Sequence, residues 1–103
     1  MYRNLGRAKQ IESYKRRPGR CWFCNRTVPP LERHHVFFGM SNRKRSEEYN
    51  MVTLLCAEHH REGKEAVHCN REKDLELKRA FQEIFEEENP QLDFREVFGK
   101  SYR

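Results

Sequence analysis

Two pairs of metal-binding residues constrain this sequence more than any other feature. Cys21 and Cys24 form a Cys-x2-Cys pair, and Cys56 and His59 form a Cys-x2-His pair. Two-residue spacing lets both side chains of a pair reach one ion, and structural zinc takes four thiolate or imidazole ligands in a tetrahedron. The spacing therefore predicts a structural zinc site with these four ligands, and it argues against four unrelated buried residues. Cys69 stands alone and is interpreted as a bystander.

The chain is short and poor in apolar residues, so a metal staple is expected. It has 103 residues, of which 36% are hydrophobic and 36% charged, and its mean hydropathy is −1.10. This length suits one domain, whose small core gains folding energy from a bound metal. The N-terminus lacks the apolar segment of a signal peptide, and no apolar run reaches membrane-spanning length. We expect a reducing, cytoplasmic location, where clustered cysteines usually bind metal.

Secondary-structure patterns predict one domain of the α+β class in three parts. These are a basic N-terminal arm over 1–20, a zinc-stapled core over 21–70, and an amphipathic helix with a short tail over 71–103 that packs on the core. The predicted elements are a helix over 1–17, strands over 32–38 and 51–55, a basic loop over 40–48, a helix from Cys56 to about Glu65, a helix over 72–88, and a short turn with Phe94, Val97 and Phe98.

Charge is distributed unevenly along a chain of net charge +5. Residues 1–20 contain seven basic residues against Glu12 alone, and residues 83–98 contain six acidic residues against Arg95 alone. A basic arm beside an acidic tail suits a polyanionic partner at one end, and solubility alone accounts for the same charges equally well.

Paired histidines form a second group of candidate ligands. Neighbouring side chains on a strand point to opposite faces, so His34 and His35 cannot serve one ion from a flat strand. One of them can bind a metal while the other faces a scissile phosphate, provided that a bulge or twist brings both near the site. On the predicted helix, His59 and His60 also diverge, so each can serve a different centre.

From Cys21 to about His68 the sequence resembles the HNH family of ββα-metal endonucleases, and within it the small phage-encoded members. The resemblance is carried by C-W-F-C, E-R-H-H-V-F-F-G and Y-N-M-V-T-L-L-C-A-E-H-H, with E-V-F-G-K-S-Y near the C-terminus. It implies a small ββα-metal core with a zinc knuckle and flanking helices. It also implies DNA and phage recombination or packaging proteins as partners, in the host cytoplasm.

The resemblance assigns roles to the histidines and leaves one exchange open. His34 is implied as a ligand of a catalytic divalent ion and His35 as the general base. Aligning the chain through Cys56 makes His59 a zinc ligand and His60 a catalytic ligand. Counting instead from the family asparagine exchanges His59 and His60. His68, in the following loop, is a candidate third catalytic ligand, and an exposed loop histidine is an equally good interpretation.

The family asparagine is assigned to Asn50, which would orient the His35 ring. It precedes Cys56 by six residues where the family usually has five, so Asn42 is kept as a lesser candidate.

The implied activity is one-metal hydrolysis of DNA phosphodiester bonds with Mg²⁺, Mn²⁺, Ni²⁺ or Zn²⁺. Predicted phosphate-binding residues are Arg16, Arg17, Arg20, Arg43, Lys44 and Arg45. The alternatives are a noncatalytic zinc-finger module that binds nucleic acid, and a structural zinc protein that binds another phage protein through its acidic C-terminal helix.

Overall fold

The computed structural model describes residues 17–103, which form a small α+β domain. Its elements are β1 (Leu31–His35), α1 (Met40–Glu48), β2 (Val52–Cys56), a π-helical turn (Glu58–Glu62), α2 (Arg71–Glu88) and α3 (Phe94–Phe98). Residues 1–16 of the helix predicted over 1–17 lie outside the described residues, and Arg17 is not helical.

Among the helices of residues 17–103, none has the length and apolar character needed to cross a membrane.

The two-stranded sheet sends the paired histidines to opposite faces. β1 and β2 run antiparallel, with His34 opposite Thr53 and His35 opposite Val52. Cross-strand partners share a face, so His34 and Thr53 lie on the buried face, while His35 and Val52 lie on the half-exposed one. The predicted divergence of the two histidines is therefore confirmed. β1 ends at His35, short of the predicted end at Phe38, because the chain turns there into α1.

α2 supplies the main apolar surface of the core. Its N-cap Asn70 accepts hydrogen bonds from the backbone N–H groups of Glu72 and Lys73, which would otherwise lack partners. The buried apolar residues recur at helical spacing: Leu77, Phe81, Ile84 and Phe85. Burying each such side chain stabilises the fold by about 1.5–3 kcal/mol. The helix predicted over 72–88 is confirmed to within one residue.

The predicted loop over 40–48 is wrong, because these residues form α1. The helix has no apolar stripe, so hydrophobic periodicity carries no signal for it. Polar contacts hold it instead. The buried Ser46 hydroxyl donates to Phe37 O at 2.6 Å and accepts from Phe37 N at 3.2 Å. The side chains of Asn42 and Arg45 donate to backbone carbonyls of α3.

The helix predicted from Cys56 to about Glu65 is confirmed only in part, as a shorter helical turn of the π type. Cys56 ends β2, and only a five-residue π-helical turn follows, over Glu58–Glu62. Gly63 N donates to Glu58 O at 2.9 Å, which is the wide hydrogen bond of a π turn. A Cβ atom at Gly63 would lie 2.6 Å from Glu58 O, so glycine permits this close approach.

Candidate metal centres

The four residues predicted to bind zinc lie together where the Cys21–Cys24 knuckle meets the end of β2. Their ligand atoms all lie within 4.8 Å of one another. Cys24 Sγ is 3.8 Å from Cys56 Sγ, and His59 Nδ1 is 3.3 Å from Cys56 Sγ and 3.8 Å from Cys21 Sγ. Tetrahedral ligands about 2.3 Å from zinc are ~3.7 Å apart. The cluster therefore fits a four-coordinate metal ion.

The protonation chemistry of the cysteines favours a bound cation. All four cysteines of the chain are free thiols. Burial opposes ionisation of Cys21, but hydrogen bonds from the backbone of Cys56, Cys24 and Phe23 outweigh it and lower its pKa. Burial raises the pKa of Cys24, and the neighbouring sulfurs of Cys21 and Cys56 raise it further. A dication would offset this crowding of thiolates, because metal binding releases their protons.

Cys69 lies outside this group. Its Sγ donates to Arg61 O at 3.1 Å, and no metal-type cluster of the described residues includes it.

Three histidines form a second cluster on the buried face of the sheet. Ligand atoms of His34, His60 and His68 all lie within 4.8 Å of one another, and the Nε2 atoms of His60 and His68 are 3.2 Å apart. His34 Nε2 is buried and has no hydrogen-bond partner, which is unusual for a polar atom in a protein interior. His34 and His60 are only 3% and 5% exposed, whereas His68 is exposed. The cluster therefore opens to solvent at His68.

The π-helical turn sends its two histidines to different clusters. His59 lies with the cysteines, and its ring stacks on Phe23 with centroids 5.6 Å apart. His60 lies with His34 and His68. Of the two assignments that the sequence leaves open, this arrangement matches the alignment through Cys56.

A carboxylate fixes the orientation of His60. Glu32 lies two residues before His34, on the same face of β1, and its Oε1 contacts His60 Nδ1. This hydrogen bond lowers the pKa of Glu32. With Nδ1 engaged by the carboxylate, His60 Nε2 is directed toward the cluster, the arrangement found in carboxylate–histidine–metal sites.

The environment of His34 keeps its ring neutral. Burial, reinforced by the nearby His60, His68 and Lys78, lowers the pKa of His34 to about 3. Burial also lowers the pKa of His68. Neutral imidazole is the form that binds a metal, so at neutral pH both rings are in the ligating state.

His35 lies on the opposite face of β1 and takes part in a charged network with α1. Its Nε2 is 2.7 Å from Glu47 Oε2, and both terminal nitrogens of Arg33 reach the same carboxylate, at 2.8 and 3.2 Å. Hydrogen bonds from Arg33 and His35 lower the pKa of Glu47 to about 2. Glu47 therefore stays ionised and holds the ring of His35.

The two candidate asparagines occupy different positions. Asn50 adopts a left-handed conformation (φ 58°) in the turn between α1 and β2, and its N–H donates to Glu47 O at 3.2 Å. It thereby shapes the segment that presents Glu47 to His35. Asn42 instead donates from Nδ2 to Phe98 O at 3.0 Å, away from His35.

The predicted phosphate-binding residues divide into three groups. Arg16 lies outside the described residues. Three residues are exposed, namely Arg20, Arg43 and Lys44. Arg17 and Arg45 are also exposed, but one side-chain nitrogen of each donates to a backbone carbonyl. The exposed groups of α1 remain accessible to a polyanion.

Sequence reasoning missed three polar residues around the histidines. Glu32 and Arg33 each precede a histidine by two positions and share its face, so strand alternation contained a signal for both. Glu47 reaches His35 only because α1 forms, and no apolar periodicity in the sequence predicts that helix. Comparison of the chain with protein-family models, curated proteins and solved structures found no match.

Proposed function

We propose that the chain is a metal-dependent endonuclease of the one-metal HNH type, which hydrolyses phosphodiester bonds in DNA. The single observation that carries the proposal is the separation of two clusters, one of three cysteines and a histidine, the other of three histidines. The proposal extends to a ββα-metal core, made by β1, β2 and the segment that carries His60 and His68.

The two clusters suit different metal roles. Four thiolate and imidazole ligands form a closed site, as structural zinc requires, whereas three imidazoles leave a coordination position open, as catalytic ions require. The first cluster would then hold structural zinc, and His34, His60 and His68 would hold a catalytic divalent ion. When bound, that ion would supply Lewis-acid stabilisation of the negative charge that develops on the phosphate.

His35 is assigned as the general base. The register of β1 with β2 is unbroken and contains no bulge, so the phosphate would have to lie at the end of β1, where His34 and His35 are sequence neighbours on opposite faces. The contact of its Nε2 with the ionised Glu47 favours the tautomer that carries its proton on Nε2, which leaves Nδ1 free to accept a proton from the attacking water. Arg33 donates to both oxygens of the Glu47 carboxylate and shares Oε2 with His35, so the carboxylate would hold the ring in its orientation while the proton moves. Asn50 supports this arrangement from the turn after α1, where its N–H donates to the carbonyl of Glu47.

Basic residues would bind the DNA backbone without reading its sequence. Arg20, Arg43 and Lys44 expose their charged groups, and each phosphate contact of this kind releases counterions. Affinity for DNA should therefore fall steeply with salt and change little with sequence.

The test is cleavage of supercoiled plasmid by zinc-loaded protein with and without an added divalent ion. His35→Ala should reduce turnover by roughly 10²–10⁴-fold, the usual contribution of a general base, and should leave binding of the catalytic ion intact. His60→Ala should weaken ion binding, and higher metal concentration should restore part of its activity. Elemental analysis should find the structural zinc retained in both variants.

Cysteine variants provide a matched control for the zinc site. Cys24→Ser should lose zinc and stability, whereas Cys69→Ser, the same change outside the cluster, should keep both. Unchanged cleavage in both His35→Ala and His60→Ala would contradict the proposed roles of the two histidines. Absence of cleavage by the unmodified chain with every added divalent ion would favour a zinc module that only binds nucleic acid. Loss of zinc in His60→Ala would instead mean that His59 and His60 exchange roles.

A further inference from the structure

A cleft of about 230 Å³ lies on the half-exposed face of the sheet, the face from which His35 projects. Its lining residues are Arg17, Pro18, Gly19, Arg33, Asn50, Val52, Thr53 and Leu54. Val52 is the cross-strand partner of His35, and Arg33 lies two residues before it. The cleft is therefore adjacent to the proposed general base, on the opposite side of β1 from the three-histidine cluster.

The charge of the cleft suits an anion. Its lining contains two guanidinium groups and no carboxylate. The ionised Glu47 contacts Arg33 from outside this lining and offsets part of its charge, so the net positive charge comes mainly from Arg17. Arg17 is held in place, because its Nη1 donates to Trp22 O at 2.6 Å and its guanidinium lies 4.3 Å from the centre of the Trp22 ring. Arg33 is held by its paired contacts with Glu47. Each guanidinium has further N–H donors, and their planar arrangement matches the oxygens of a phosphate.

The floor of the cleft suits a base or a sugar. Val52 and Leu54 are half-buried and, with Pro18, provide apolar surface between the two arginines. The volume is below the ~300 Å³ at which small-molecule sites usually begin. A cleft of this size fits one unit of a polymer better than a free dinucleotide cofactor.

We propose that this cleft is a subsite for the nucleotide next to the scissile phosphodiester, with its phosphate bound by Arg17 and Arg33 and its base or sugar packed on Val52 and Leu54. That the neighbouring phosphodiester is cut rests on the proposed endonuclease function, but nucleotide binding in the cleft does not depend on catalysis. Because Val52 lines the cleft and is the cross-strand partner of His35, the phosphodiester next to a nucleotide bound there would lie toward the end of β1 that carries His35.

Nucleotide binding to the full, zinc-loaded chain, without an added catalytic ion, tests the cleft directly. The probes are thymidine 3′,5′-bisphosphate and inorganic phosphate, followed by calorimetry and by NMR shifts of the Val52 and Leu54 methyl groups. The bisphosphate should shift both methyl signals and bind more tightly than phosphate. Arg33→Gln should weaken its binding by roughly 10–100-fold, the contribution of a charge-assisted hydrogen bond.

Two further variants make the result specific. Val52→Glu adds a carboxylate to the floor without removing an arginine and should weaken binding as much as Arg33→Gln. Arg95→Gln removes an exposed positive charge on α3, outside the cleft, and should leave binding unchanged. The proposal is overturned if phosphate binds as well as the bisphosphate, if the methyl signals do not move, or if Arg95→Gln weakens binding as much as Arg33→Gln.

Plasmid cleavage separates this proposal from the endonuclease assignment. If the protein binds the bisphosphate in the cleft but cuts no DNA, the nucleotide site is supported and the endonuclease function is contradicted. If the protein cuts DNA but does not bind the bisphosphate, the endonuclease function is supported and the subsite is contradicted.

Discussion

Replacing Ser46 by alanine tests whether a single buried hydroxyl holds α1 against the turn that follows β1. Ser46 is fully buried, and its Oγ bonds both backbone groups of Phe37, donating to O at 2.6 Å and accepting from N at 3.2 Å. Alanine removes the hydroxyl without adding volume. Both backbone groups of Phe37 then lose this partner in the interior.

Each buried polar group left without a partner costs about 1–3 kcal/mol. Two such groups predict a loss of roughly 2–6 kcal/mol in the free energy of unfolding, a large part of the ~5–15 kcal/mol of a typical domain. The same change should also reduce plasmid cleavage, because α1 carries Glu47 to His35.

Urea unfolding of the zinc-loaded protein, followed by Trp22 fluorescence, measures the loss. Ser41→Ala is the matched control, since Ser41 lies on the same helix, is exposed and provides no side-chain cap. Its effect should stay within about 0.5 kcal/mol. If the two variants unfold at the same urea concentration, the hydrogen bonds between Ser46 and Phe37 do not stabilise α1.

Three further predictions follow from other parts of the structure. Gly63→Ala would place a Cβ atom 2.6 Å from Glu58 O, so elemental analysis should find less metal, and an unchanged metal content would show that the π turn adapts. The pKa of His34 falls from 6.5 to about 3 on folding, so the unfolded chain takes up a proton first as the pH falls. The free energy of unfolding of the metal-free protein should therefore decrease below pH 6.5, by at most about 1.4 kcal/mol per pH unit for this proton. Urea titrations at several pH values should give a flatter pH dependence for His34→Asn. Replacing both Arg43 and Lys44 by glutamine should reduce the slope of log affinity against log salt by about 1.8 for duplex DNA, as fluorescence anisotropy can measure, and an equal slope would place α1 away from the DNA.

Ligand spacing and hydrophobic periodicity, which involve residues close together in the sequence, predicted the first metal cluster and α2. The spacing of Cys21, Cys24 and Cys56 identified the four-residue cluster, and helical periodicity located α2 to within one residue. α1 escaped prediction because its stability comes from hydrogen bonds to the turn after β1 and to α3, which are distant in sequence. Such contacts leave no periodic signal in the helix itself.

The sequence could not decide which of His59 and His60 belongs to which cluster, because the answer depends on the backbone conformation of the π-helical turn. An ideal α-helix and a π turn place successive side chains at different angles, and the sequence predicted the former. Glu32 and Glu47 were missed for a related reason. A carboxylate that orients a histidine is recognised only once the partner's position is known, and Glu47 comes from a helix that the sequence did not predict.

The peptide bond between His59 and His60 joins the two candidate centres covalently. An ion bound in one cluster would restrict the backbone of the turn. Binding of a second ion in the other cluster would then cost the backbone less conformational entropy. By thermodynamic linkage the effect is reciprocal, so in the proposed two-ion protein each ion would raise the affinity for the other by the same factor. A chelator should therefore remove the two ions in a cooperative transition, and the more weakly bound ion should report on the occupancy of the tighter one.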